Sequence, residues 1–450
     1  MKKVIDFIHE LKFSDIPQKS QEMAENCVLD LIGVGISGTT TKLSKLICEH
    51  AVETFGSNKY KTKLLFDGRN VSPAGAALAG GMTIDSIDAH DGFNGAKGHV
   101  GCVVFPAAVA FADVTKSLGG QSFLTDITLG YELGSRLALA LHATVPDYHT
   151  SGAWVSLAVA ALGARRLGLG YEETRHALGI AEYHGPRSQM MRCIDSPSML
   201  KDGSGFGAMS GVSAAFLAKE GFTGAPALTV ENNDVKIFWE DLGENWLIDR
   251  QYFKPYPVCR WAQGPIEAVL SIKEKYNISS EQVEEIEVST FHEAVRLAVS
   301  EPKNTEEAQY STSYPCAVAL VTGSVGVHEV SDRFLNNSEV LRISRSLKMV
   351  ENDFCNSQFP DQRYASAKLH LKNGTILKSD FVNPKWTADE PPEKAELTSK
   401  FFRLSENIIG LDKAEKIENA TRELIQDGNL SNLLDLLYVS TEKEKVNQCF

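Results

Sequence analysis

The chain has 450 residues, more than one ordinary core accommodates, so two domains are expected. Hydrophobic residues make up 43% and charged residues 23%, a globular balance that excludes long disordered stretches. The net charge of -13, from 45 basic and 58 acidic residues, disfavours a nucleic-acid or anionic-membrane partner and requires any anionic ligand to be held by a local cluster of cations.

The N-terminal run MKKVIDFIHELKF is interrupted by Asp6 and Glu10, which argues against a signal peptide. The longest apolar runs, 100–112 and 155–163, fall short of the roughly 20 residues needed to cross a bilayer. The cysteines, Cys27, Cys48, Cys102, Cys193, Cys259, Cys316, Cys355 and Cys449, form no C-x-x-C pair, so neither a zinc knuckle nor a redox motif is suggested. A reduced, cytoplasmic location is expected.

Apolar residues at helical spacing predict a helix over 20–38. The Ala/Gly-rich segment 72–88 reads as a helix able to pack closely on its neighbours. A long apolar helix over 99–118 is stopped by Gly119-Gly120. Helical patterns continue over 121–143, 151–169, 171–184 and 205–221. Many lack a polar face, as helices buried in a multi-helix core do. Pro255 and Pro257 break the pattern. Beyond them 283–291 alternates as a strand, 309–323 reads as one helix, and 367–382 reads as two strands joined by Asn373-Gly374. After a charged linker at 389–394, amphipathic helices return over 395–406, 411–427 and 431–439. The expected fold is mainly α with an α+β second domain: a helical domain of residues 1–252 and 393–450, and an α+β lid of residues 253–392.

Four polar clusters interrupt these elements. The first runs from Asp88 through His90, Asp91 and Lys97 to His99. Its glycines allow close backbone approach to a ligand. Asp85, Asp88 and Asp91 are spaced to share a helical face, and a carboxylate here can fix the tautomer of His99. A polar helix-to-helix connection fits the same residues. The second, His149-Thr150-Ser151, precedes a buried helix, whose dipole keeps an imidazole neutral and able to take a proton. An interior hydrogen-bonded histidine is the bland alternative. The third places Arg187, Arg192 and Lys201 before a Gly/Ser run containing Ser204, suited to carboxylate or phosphate binding or simply to surface ion pairs. The order of a phosphate loop is absent, so nucleotide binding is not supported. The fourth, Phe253-Lys254-Pro255-Tyr256-Pro257-Val258-Cys259-Arg260, lies at the domain junction, where the prolines aim Lys254 and Arg260. Tyr314 heads an apolar stretch of the second domain.

In order and spacing these clusters resemble the 2-methylcitrate dehydratase family (MmgE/PrpD), which includes cis-aconitate decarboxylase and iminodisuccinate epimerase. The family pattern D-x-D-D followed by G-H-P is matched by Asp88-Ala89-His90-Asp91 and Gly98-His99-Val100. His149-Thr150-Ser151 leads into a helix ending Leu167-Gly168-Leu169. Met199-Leu200-Lys201, Gly221-Phe222-Thr223-Gly224 and Phe253–Pro257 match three further elements. The resemblance implies a homodimer, no metal or organic cofactor, and an active site in the cleft between a helical domain and a lid. It places Asp88, His99, His149, Lys201, Lys254 and Tyr314 at family active-site positions. Three departures mark a divergent member with another substrate. His90 stands where the family often has Asp, Ser204 where a histidine commonly follows the lysine, and Cys259 where the decarboxylase has a histidine.

The expected chemistry is removal of a proton next to a carboxylate of a small di- or tricarboxylic acid. Lys201 and Lys254, with Lys97, Arg192 or Arg260, clamp carboxylates. Asp91, Ser204 and Cys259 are further substrate-binding candidates. His149 or His99 acts as base, the other histidine or Tyr314 as acid, and Asp88 orients His99. Dehydration is expected first, then epimerisation or decarboxylation. Two other classes remain: a metal-dependent hydrolase using Asp85, Asp88, His90, Asp91 and His99, and a binding protein that kept the fold without turnover.

Overall fold

In a computed structural model, the structure describes residues 1–439. Residues 440–450, the end of the expected helical domain and the position of Cys449, lie outside them.

The larger part is helical. Helices Gln18–Gly38, Pro73–Asp85, Gly101–Thr115, Gly120–Thr144, Ser151–Leu167, Tyr171–His184 and Ser204–Lys219 pack around one apolar core. Residues such as Val104, Phe105, Phe111, Leu157 and Leu162 are fully buried there, which explains the missing polar faces. Small residues set the closest crossing. A Cβ added to Gly81 would lie 2.9 Å from the Gly205 Cα, so helices Pro73–Asp85 and Ser204–Lys219 meet backbone to backbone. Among the described residues no helix is long and apolar enough to cross a membrane.

The smaller part holds a four-stranded mixed sheet in the order Leu347–Glu351, Val283–Thr290, Ser366–Leu371, Ile376–Lys378. The first pair is parallel and the other two antiparallel. Asn373-Gly374 forms the expected turn, with Gly374 at φ 85°. Inward residues Val283, Ile286, Val288, Ala367 and Leu369 bury against helices Arg260–Tyr276 and Tyr314–Thr322. The single helix expected over 309–323 is two, Thr305–Tyr310 and Tyr314–Thr322. Ser311 separates them: its Oγ donates to Val299 O at 2.8 Å and accepts from Tyr314 N at 3.1 Å.

After the sheet the chain returns to the helical body. Helix Lys394–Ile409 lies along Gln18–Gly38, and Leu397, Phe401, Leu424, Leu433 and Leu437 join the first core. Buried Lys400 pairs with Asp30 at 2.6 Å and donates to Ala89 O at 2.7 Å, tying the C-terminal helices to the polar loop between two buried helices. A third apolar cluster joins Met190, Cys193 and Ile194 of the helical part to Trp261, Phe291 and Tyr310 of the smaller part.

Candidate active site

The loop that follows helix Pro73–Asp85 builds half of the site. Ser86 Oγ donates to Thr83 O at 2.7 Å, the helix stops at Asp85, and Asp88 takes a left-handed backbone at φ 49°. Asp85, Asp88 and Asp91 therefore do not share the helical face expected of them. Each carboxylate meets a different partner: His90, Lys254 and Tyr131. Gly92-Phe93 then pairs antiparallel with Gln251-Tyr252, bringing the Lys254 segment beside the loop. A Cβ at Gly92 would sit 2.5 Å from the Tyr252 hydroxyl and 2.8 Å from His99 Nδ1, so a side chain there would displace Tyr252 or His99.

Two histidines share one acceptor. His99 Nδ1 lies 2.6 Å and His90 Nδ1 3.2 Å from the Asp91 carbonyl oxygen. A carbonyl only accepts, so both Nδ1 atoms carry a proton. The Nε2 of His90 also faces an acceptor, Asp85 Oδ1 at 3.1 Å, which makes His90 an imidazolium. Burial disfavours that charge, but Cys102 and Asp85 together raise the His90 pKa well above 6.5. Burial also raises Cys102, which stays a thiol, so the carboxylate is the charged partner. For His99 the balance is reversed: burial, Lys254 and His90 hold it well below 6.5. Its Nε2 has no hydrogen-bond partner among the described residues. His99 is thus a neutral imidazole with a free lone pair on Nε2.

His99 opens onto a cavity of about 50 Å³. Lys254 lies in its wall, buried, with Nζ 2.7 Å from Asp88 Oδ1 and 3.0 Å from Asp88 O. Arg260 donates to Phe253 O and Lys385 O, both at 3.0 Å, and stacks 4.4 Å from the Tyr252 ring centre. Cys259, half-buried, and Lys97 complete the predicted residues in the wall. Burial raises the Cys259 thiol to about 11, so it is neutral. Lys201 stands just behind the wall, fully buried at φ 49°. Its ammonium donates to Gln309 Oε1 and lies 5.2 Å from the Tyr310 ring centre, with no carboxylate partner among the described residues.

Several expected residues lie elsewhere. Tyr314 is buried in the core of the smaller part, its hydroxyl 3.5 Å from Glu329 O. The break at Ser311 turns it away, and Tyr310 lines the cavity in its place. His149 does precede helix Ser151–Leu167, but it is half-buried outside the cavity wall, with Nδ1 3.0 Å from Asp147 O. Arg192 is exposed on helix Met190–Asp195, whose buried side carries Met190, Cys193 and Ile194 to the wall instead. Asp91 turns its carboxylate into the helical core, 2.5 Å from the Tyr131 hydroxyl, and reaches the site only through its carbonyl. Ser204 donates to Asp85 Oδ2 at 2.6 Å, behind the cavity.

Four wall residues gave no local pattern in the sequence: Tyr252, Asp202, Tyr310 and Arg363. Asp202 was the one within reach, since it follows Lys201. Its Oδ2 accepts from Ser151 N at 3.2 Å and from Ser151 Oγ. Burial, then the charge of Asp85, raises its carboxyl to about 7. Ser151 Oγ accepts in turn from His99 N at 2.8 Å.

Asp85, Asp88 and His90 place ligand atoms within 4.8 Å of one another, the geometry behind the metal alternative. The donor set fits a metal poorly. Lys254 already neutralises Asp88, and His90 presents an N–H rather than a lone pair to Asp85.

Comparison with known proteins agrees in extent with this architecture. Residues 2–236 match the model of the MmgE/PrpD N-terminal domain and residues 256–426 that of the MmgE/PrpD C-terminal domain. A cis-aconitate decarboxylase-like protein of Aspergillus oryzae is 23% identical, over 96% of both chains. A cis-aconitate decarboxylase of Homo sapiens is 24% identical, over 96% of this chain and 92% of its own. A probable 2-methylcitrate dehydratase of Saccharomyces cerevisiae is 23% identical, over 85% of this chain and 80% of its own. The two matches between them cover nearly the whole polypeptide, and the chain belongs to the MmgE/PrpD family.

Proposed function

We propose that this protein is a lyase, working without a resident metal or organic cofactor, that removes the proton next to a carboxylate of a small di- or tricarboxylic acid. One observation carries the reading: His99 is neutral, its Nε2 is free among the described residues, and it faces a cavity walled by Lys254, Arg260, Lys97 and Arg363. Lys254 has Asp88 as its counter-charge, but Arg260, Lys97 and Arg363 form no ion pair among the described residues. Cations removed from water are costly without a counter-charge, and a polycarboxylate supplies it.

In the dehydration we favour, Nε2 of His99 takes the α-proton. Lys254 and Arg260 stabilise charge gathering on the carboxylate. The electron pair of the broken C–H bond forms the carbon–carbon double bond as the adjacent C–O bond breaks. Asp202, protonated below about pH 7, gives its proton to the departing hydroxyl, which leaves as water. Lys201, behind Tyr310, adds positive potential to the same cavity. The names of the relatives favour decarboxylation of cis-aconitate as a second reading. There the same cations hold the remaining carboxylates while one leaves as carbon dioxide. The electron pair of the broken carbon–carbon bond stays on the substrate, which takes a proton from Asp202. A cytoplasmic homodimer belongs to the same proposal.

The test offers 2-methylcitrate, citrate and cis-aconitate separately in deuterium oxide, following water loss, carbon dioxide release and deuterium uptake. Turnover of one acid, lost in His99→Ala, is the expected result. Undiminished deuterium uptake by that variant removes the mechanism.

A further inference from the structure

The cavity at His99 is small. About 50 Å³ is well under the roughly 300–1,000 Å³ of a small-molecule site. Beside it, between the same two parts of the chain, lies a chamber of about 330 Å³. The two share four wall residues: Lys97, Tyr252, Arg260 and Arg363. Arg260 is committed to two carbonyls and to the Tyr252 ring. Among the described residues neither Arg363 nor Lys97 has two such carbonyl acceptors.

Arg363 is only 5% exposed, and its Nε is buried with no hydrogen-bond partner among the described residues. One nitrogen, Nη1, donates to Asn94 Oδ1. Among the described residues no carboxylate comes within ion-pair distance of it; the charge of Asp361 acts on it from further away, and desolvating a guanidinium is costly. Its backbone is fixed, with N donating to Asn383 Oδ1 at 3.1 Å. Lys97 holds a left-handed backbone at φ 57°; among the described residues its ammonium donates only to Asn94 O, at 2.8 Å, and lies 5.7 Å from the Tyr148 ring centre. The two cations are close enough to oppose each other: burial, then Arg363, lowers Lys97 to about 8. Two neighbouring cations, one with an unused buried donor, are arranged for an anion that bridges them.

We propose that Arg363 and Lys97 form the receiving site for a second carboxylate of the substrate, at the seam between the cavity and the outer chamber. The reacting end then lies against His99 and Lys254, and the rest of the acid extends into the larger space. Arg363 comes from the smaller part of the chain and Asn94 from the helical part, so the bound carboxylate ties the two together. This makes Arg363 the specificity-determining residue that separates di- and tricarboxylic acids from monocarboxylic ones. The inference rests on the acid-binding reading above.

The probes are three unreactive acids, tricarballylate, glutarate and butyrate, with affinities read by ligand-observed NMR. Arg363→Met and Lys97→Met are each expected to weaken tricarballylate and glutarate by roughly 10- to 100-fold and to leave butyrate within about twofold. Arg363→Lys keeps the charge without the planar fork, and an intermediate loss is expected. It carries the test with Lys97→Met if circular dichroism finds Arg363→Met unfolded. Wild-type affinity for tricarballylate in the variants overturns the site, as does an equal loss for butyrate. If the unaltered protein binds none of the three acids, the acid-binding reading itself falls. If it binds them and the variants match it, only the role of Arg363 and Lys97 falls.

Discussion

The rings of His90 and His99 meet edge to face with centroids 4.4 Å apart, and both donate to the single carbonyl oxygen of Asp91. One is held charged by Asp85 and the other is kept neutral, so the pair splits an ordinary histidine titration into two distant ones.

Replacing His90 by Asn removes the charge that helps hold His99 down. The His99 pKa lies below 6.5 in the folded protein, so it remains a base as pH falls below that value. Without the neighbouring imidazolium its pKa rises, and the acid limb of the kcat/KM profile moves upward toward 6.5. An unmoved limb in His90→Asn contradicts the coupling.

Asp202 predicts the other limb. Its carboxyl is raised to about 7, so the proton it would give in the proposed dehydration is present below that pH and lost above it. Activity is expected to fall as pH rises through about 7. Asp202→Asn is expected to lose roughly 10²- to 10⁴-fold in kcat while binding unreactive acids as before. Retention of the alkaline limb in a variant with residual activity assigns that limb to another group.

Lys254 and Asp88 form a buried ion pair at 2.7 Å. Lys254→Met leaves a carboxylate without its counter-charge and should cost about 3–5 kcal/mol of stability. The double variant Lys254→Met with Asp88→Asn should recover most of that loss without recovering activity. Chemical denaturation of the four proteins completes the cycle, and an unrecovered double variant shows that the pair is not the origin of the loss.

Gly92→Ala presses a methyl group toward both Tyr252 and His99 Nδ1. The expected result is a folded protein with kcat lowered by roughly 10²-fold, because a small displacement of the base spoils its approach. Wild-type kcat would mean that the loop gives way without moving His99.

The helical body was legible because its signal is repetitive. Helices Ser151–Leu167 and Tyr171–His184 start where the apolar pattern starts, and Asn373-Gly374 marks its hairpin. Strand Leu347–Glu351 gave no such signal. It is an edge strand whose side chains are largely solvated, so no apolar alternation is needed. Helix Arg260–Tyr276 was hidden by Pro255, Pro257 and Pro265, the last tolerated inside its first turns. The residues of the candidate site were legible where polar groups are dense in sequence, from Asp88 to His99 and around Lys254. It was not legible where one side chain arrives from a distant loop, as Arg363 does, or where the choice between Tyr310 and Tyr314 depends on a helix break. The charge on His90 lay beyond the sequence too, since it arises from two acceptors placed on opposite sides of one ring.

The carbonyl of Ala89 is held by a lysine 311 positions further along. While the chain is still being made, the loop carrying Asp88 and His99 emerges long before that lysine does. The loop stays without this support until synthesis has passed residue 400. A ribosome stalled earlier yields a fragment with every acid and base group of the loop but without the lysine that holds it.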